Sequence, residues 1–174
     1  MPKRNLVMFV VAAVVLLVVA GIVLAARDED RAAAPPAGYA IFETQLKGRT
    51  VSFAYPRGWG AVERRTESGV QTFRFRGPPD ADGERSAVRL AADLDAAIGF
   101  EAQYGLVTAH DRLTMANVEE ISEEEVDVPG AERAKRLVLE YDLRTDGGGT
   151  QRSRASSIFA QSDDGLFVTL LVDT

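Results

Sequence analysis

Leu137-Val138-Leu139-Glu140-Tyr141-Asp142-Leu143 decides the fold class. Leu137, Leu139, Tyr141 and Leu143 alternate with mostly polar neighbours, the period of two that marks a strand with one side on a core and the other in water. Downstream, Asp146 to Gly149 reads as a loose hairpin turn and Gln151 to Ala160 as the returning strand. Asp163-Asp164-Gly165 then turns the chain into Leu166 to Val172. Three consecutive strands therefore close the chain as a meander.

Upstream the same logic gives a hairpin. Val51, Phe53 and Tyr55 alternate with Ser52 and Ala54, and Gly48-Arg49 turns the chain from a strand over Tyr39 to Leu46. Pro56-Arg57-Gly58-Trp59 ends the second strand, because proline lacks the donor that the ladder needs. Val70 to Arg76 puts Phe73 and Phe75 on a buried side and Arg74 and Arg76 on a wet one, and a short strand follows at Ala87 to Leu90. Between Asp93 and Met115 the spacing turns helical, with Leu94 and Ile98, then Phe100, Tyr104 and Val107, interrupted by Gly99 and Gly105. Two short helices on the sheet are expected, then the acidic stretch Glu119 to Glu125 and a turn at Val128-Pro129-Gly130. The class is α+β, an antiparallel sheet packed with helices.

The N-terminus is of another kind. Leu6 to Ala26, including Val14, Leu17 and Leu24, carries no charge, and about 21 residues of helix span about 31 Å, a bilayer hydrocarbon core. Lys3 and Arg4 precede it and the mixed cluster Arg27 to Arg31 follows, so the positive-inside bias puts the N-terminus in the cytoplasm. A cleaved export signal would have a shorter apolar core. The expected organisation is a cytoplasmic tip and transmembrane anchor over 1–26, an Ala/Pro-rich stalk over 27–38, and an extracytoplasmic domain over 39–174 at the cell membrane.

Composition narrows function. The 174 residues carry a net charge of −6, and with Lys3 and Arg4 across the membrane roughly −8 is left on the domain, which argues against nucleic acid as a partner. There is no cysteine, which removes disulfides, thiolate nucleophiles and cysteine metal sites. Lipid contact is expected through the anchor, and an envelope protein is the expected partner of the domain.

The order hairpin, Tyr55-Pro56-x-Gly58-Trp59, further strands, helices, Val128-Pro129-Gly130-Ala131 and closing meander resembles the PsbP-like α/β/α sandwich. It is similar in particular to the exported LpqN-type proteins of GC-rich Gram-positive bacteria, over about Tyr39 to Thr174. The resemblance implies an accessory or docking protein, with no catalytic residues to carry over. This chain departs from the pattern in having an apolar anchor instead of a lipidated cysteine and in stopping where a final helix is usual.

The residues offer little chemistry. His110 is the one histidine, and no Gly-x-Ser-x-Gly elbow or His-x-x-x-His spacing accompanies it. Asp80-Ala81-Asp82-Gly83-Glu84 fails the calcium-loop pattern, and Gly147 to Gly149 lacks the lysine and hydroxyl of a phosphate loop. Asp93, Asp95, Asp163 and Asp164 sit where aspartate caps turns, and Tyr55 and Trp59 read as packing residues. No cofactor or metal is expected, and no enzymatic activity. Arg152 and Arg154 share one side of their strand and Arg144 joins them across the hairpin, a basic stripe suited to partner contact. A carrier or sensor of a small apolar ligand, or a hydrolase, are the alternatives. Finally, the nearly unbroken apolar run Leu166 to Val172 predicts burial on both sides, yet no further helix follows it, so Phe167 and Leu171 are expected on an uncovered apolar face.

Overall fold

A computed structural model describes residues 23–25, 35–60, 62–79, 85–94, 96, 98–144 and 148–173. Their elements are β1 (Val23–Ala25), β2 (Tyr39–Leu46), β3 (Arg49–Pro56), β4 (Glu63–Glu67), β5 (Val70–Arg76), β6 (Ala87–Asp93), α1 (Phe100–Thr114), β7 (Ala116–Glu125), β8 (Arg133–Arg144), β9 (Thr150–Gln161) and β10 (Phe167–Asp173). The strands form two antiparallel sheets, a small one ordered β1-β3-β2 and a seven-stranded one ordered β4-β5-β6-β10-β9-β8-β7. Two-residue turns close the β2–β3 and β4–β5 hairpins. Both residues of each turn have positive φ, 51° and 75° at Lys47-Gly48 and 49° and 81° at Ser68-Gly69, the twist that two-residue hairpins favour.

The large sheet is covered differently on its two sides. On one side the β2–β3 hairpin packs Val51 and Phe53 against Phe73, Phe75, Leu90, Ile158 and Leu170, all of them buried. The rings of Phe42 and Phe73 lie 5.1 Å apart and those of Phe53 and Phe75 5.5 Å apart, locking the hairpin to β5. On the other side α1 lays Phe100 and Tyr104 over Leu137, Leu139, Phe159 and Phe167. A three-layer stack of hairpin, sheet and helix results.

β10 shows why its sequence does not alternate. Val168, Leu170 and Val172 join the hairpin-side core, while Phe167 points to the helix, its ring 6.0 Å from that of Phe100. Phe167 and Leu171 are 2% and 8% exposed, so the expected uncovered apolar face is overturned; the layer beginning at Phe100 supplies the cover. Burial of that kind contributes roughly 1.5–3 kcal/mol per large apolar side chain.

Other differences have local causes. One helix stands where two were expected among the described residues: Leu94 and Ile98 lie in a turn and a bend, and α1 runs through Gly105 on its exposed side. Its acidic first turn (Glu101) and basic last turn (Arg112) suit the helix dipole. β4 and β7 are strands that charge concealed. Both are edges of the large sheet, where charged side chains keep foreign strands from pairing. Leu6, Val14 and Leu17 lie outside the described residues. Val23–Ala25, expected as the last turn of the spanning helix, are instead extended along β3, Leu24 opposite Val51, and satisfy that strand's open edge. Among the described residues no helix is long and apolar enough to cross a membrane.

Candidate interaction surface

Directly opposed residues of an antiparallel pair point to the same side, so register shows which charges meet. At the β7–β8–β9 end most basic groups lie against carboxylates of the same chain. Arg152 pairs with Glu119 at 3.0 Å, Asp142 at 3.3 Å and Glu140 at 3.6 Å, and donates to the Asn117 carbonyl at 2.8 Å. Arg154 lies 4.0 Å from Glu140. The acidic run answers in kind: Glu120 pairs with Arg112 at 2.6 Å, Glu123 with Lys135 at 3.4 Å and Glu124 with Arg136 at 3.3 Å. The expected basic stripe of Arg144, Arg152 and Arg154 is thus corrected. Arg152 and Arg154 are committed to neighbouring acids that the linear sequence places far from them, and Arg144, opposite Thr150, is left as an exposed strand end.

The other end of the same sheet is built the opposite way. Register sets Arg74 of β5 between Glu63 of β4 and Arg89 of β6, and Arg65 opposite Thr72, all on the helix side. Arg65, Arg74, Arg76 and Arg89 are all exposed. Arg76 reaches Glu63 at 3.5 Å, but no described carboxylate stands within ion-pair distance of Arg65, Arg74 or Arg89. Thr72 and Ala91 form a half-buried floor between them. The surface runs into an open cleft of about 320 Å³ lined by Gly58, Gly60, Glu63, Arg76, Gly77, Pro78 and Arg85. Trp59 walls it. A Cβ on Gly77 would come within 3.3 Å of the indole, so glycine permits that close approach.

Between this surface and α1 lies a polar knot. Tyr141 donates to Asp173 at 2.6 Å, and burial, then that carboxylate, push the phenol far up. Asp111 is 8% exposed, and its backbone carbonyl accepts from Met115 N–H at 3.0 Å and from Thr114 Oγ1 at 3.3 Å. Burial raises its pKa against the opposing pull of Arg89 and His110. Asp93 accepts from Gln103 at 2.9 Å, tying α1 to β6. Tyr104 is also buried, and burial first, then the Glu123 carboxylate beside its hydroxyl, push the phenol up.

The remaining sequence candidates do not converge. His110 is exposed on α1, and no group of three metal-capable side chains occurs among the described residues. Asp163 and Asp164 clasp Arg49 of β3, with Arg49 Nε 3.0 Å from Asp164. Ser162 donates to Asp164 and, with Arg49, holds that carboxyl below the usual range. Asp80 to Glu84, Asp95 and Gly147 lie outside the described residues. Sequence reading missed the surface formed by Arg65, Arg74 and Arg89. It put Arg74 and Arg76 on a wet side, but only register brings Arg89 opposite Arg74.

No known family's sequence profile matches the chain, and no curated protein does. Among solved structures, the crystal structure of PA94 from Pseudomonas aeruginosa, a protein of unknown function, matches with a TM-score of 0.40 and 11% identity. The match covers 77% of this chain and 83% of that one. A likeness at that level carries no functional argument.

Proposed function

We propose that the chain is a non-enzymatic binding or docking module of the bacterial cell envelope. In this reading its N-terminal apolar segment anchors it in the membrane, and a PsbP-like domain of the LpqN type stands on the outer side. The observation that carries the reading is the contrast within one sheet: Arg65, Arg74 and Arg89 at β4–β6 have no described carboxylate within ion-pair distance, while Arg136, Arg152 and Arg154 at β8–β9 each have one. Charges left unpaired on an open strand surface are available to a second protein. The resemblance carried by Tyr55-Pro56-x-Gly58-Trp59 and Val128-Pro129-Gly130-Ala131 points the same way.

The alternatives gain less. A carrier of small apolar ligands calls for an enclosed apolar cavity, and the cleft at Gly77 is open and lined by arginine, glycine and glutamate. A hydrolase calls for a nucleophile and base within hydrogen-bond reach in a cleft, and His110 stands exposed on α1.

The test is site-specific photo-crosslinking of the full chain in intact cells. A crosslinker replacing Thr72, on the arginine side, is expected to give discrete adducts with an envelope protein, and one replacing Glu140, among the saturated charges, none. Absence of adducts from Thr72, or the same adducts from both positions, would overturn the reading.

A further inference from the structure

We propose that Arg74 and Arg89 form a clamp for a single carboxylate, supplied by an extended acidic segment of the partner protein; the proposal rests on the docking role above. Two guanidiniums directly opposed across an antiparallel pair stand on Cβ atoms about 4.5–5.5 Å apart, and like charges so placed repel each other. At β8–β9 Arg136, Arg152 and Arg154 each lie against an acid. Neither Arg74 nor Arg89 has a described carboxylate within ion-pair distance. Glu63, opposite Arg74 on the far side, is drawn to Arg76 at 3.5 Å. Asp111 acts on Arg89 through space, but it is buried and not within ion-pair distance of that exposed guanidinium. A carboxylate from outside, lying between the two forks, relieves the repulsion and receives paired N–H donors, the geometry that arginine provides best.

The source of that carboxylate follows from the surroundings. Arg65, Arg74, Arg76 and Arg89 face Glu63, Glu67 and Asp93 on the same side of β4–β6, a small positive excess on a chain of net charge −6. So small an excess does not attract a nucleic acid or an anionic membrane, whose binding grows with the number of charges neutralised. Nor does the open surface enclose a small free anion. An extended peptide suits it. Its alternate side chains recur at about 6.6–7 Å, the interval between Arg74 and Arg76 along β5, while its other side chains meet Thr72 and Ala91.

The full chain in detergent micelles would be titrated into a fluorescein-labelled decapeptide of alternating glutamate and threonine, read by anisotropy. Saturable binding is expected, weakened by salt and absent for the matching glutamine peptide. Arg74→Gln and Arg89→Gln should each weaken it about tenfold or more, and Arg152→Gln by less than about twofold. Removing either clamp residue relieves repulsion, so melting at or above the wild-type midpoint separates lost binding from lost folding. No saturable binding, equal effects of all three variants, or stronger competition by inorganic phosphate or phosphatidylglycerol-doped micelles than by unlabelled peptide would each overturn the clamp. Crosslinks from Thr72 alongside failed peptide binding would sink the clamp alone and leave the docking role standing.

Discussion

The two halves of the large sheet are each a meander of three consecutive strands, and they handle charge in opposite ways. In β7–β8–β9 the helix covers Leu137, Leu139 and Phe159, two register shifts interrupt β7, and acids and bases are matched within the chain. In β4–β5–β6 the ladder is regular, α1 leaves the helix side of β4 and β5 open, and three arginines on that side, Arg65, Arg74 and Arg89, have no described carboxylate within ion-pair distance. The first half is finished as a folded object. The second leaves arginines on its open side, and the proposed docking role is placed there.

Core truncation should separate the halves most sharply. Phe159→Ala, under Tyr104 and Phe167, should cost about 3–5 kcal/mol in urea unfolding, whereas Thr72→Ala on the open side should stay within about 0.5 kcal/mol. Comparable losses would mean that the open half is roofed after all. Next comes Arg152→Ala, which leaves Glu119, Glu140 and Asp142 facing one another. Because these groups are partly solvated, the expected loss is only about 1 kcal/mol, shrinking at high salt.

A smaller effect is expected at the seam between the halves. The Asp111 pKa is raised in the folded state, so its carboxyl favours folding fully only below its ordinary value of about 3.9, and that contribution is lost as pH rises through the raised value. Asp111→Asn should therefore be more stable than the wild type at pH 7, by less than about 1 kcal/mol, and the gain should vanish toward pH 3.5. Denaturation curves at the two pH values check the sign. The smallest effect is also the most pointed: Arg74→Gln, relieving like charges across β5–β6, should stabilise the unbound chain by about 0.2–0.5 kcal/mol at low salt. A loss instead would show that Arg74 already has a partner.

How much of this was legible depended on which interaction carried the signal. β8 could be read because apolar residues alternate with mostly polar neighbours, as Leu137, Leu139 and Tyr141 show, and β3 likewise through Val51, Phe53 and Tyr55; β9 was read from the turn that precedes it. β4 and β7 hid because a charged edge strand looks like a solvated loop until its neighbours are known; Glu123 and Glu124 alternate sides, one answering Lys135 and the other Arg136. The apolar run of β10 was rightly read as buried on both sides. Its cover was misjudged because α1 precedes it by some fifty residues and returns over it only in three dimensions. Arg152 looked available for the same reason, since Glu119 and Asp142 reach it from other strands. Arg74 and Arg89 could not have been paired from sequence, because register is a property of the assembled ladder.

β10 holds the central place in the large sheet, paired to β6 on one side and to β9 on the other, although it comes last of the ten described strands. Each meander can close early through short loops, but joining them waits for Phe167–Asp173 to be delivered between two exposed edges. That is a high-contact-order step, and steps of that kind set a slow pace for folding. Until it happens, β6 and β9 both offer unpaired backbone to any passing strand. The order in which residues emerge therefore leaves this chain with a prolonged interval as two unjoined hairpin stacks, its window of greatest exposure to misassembly.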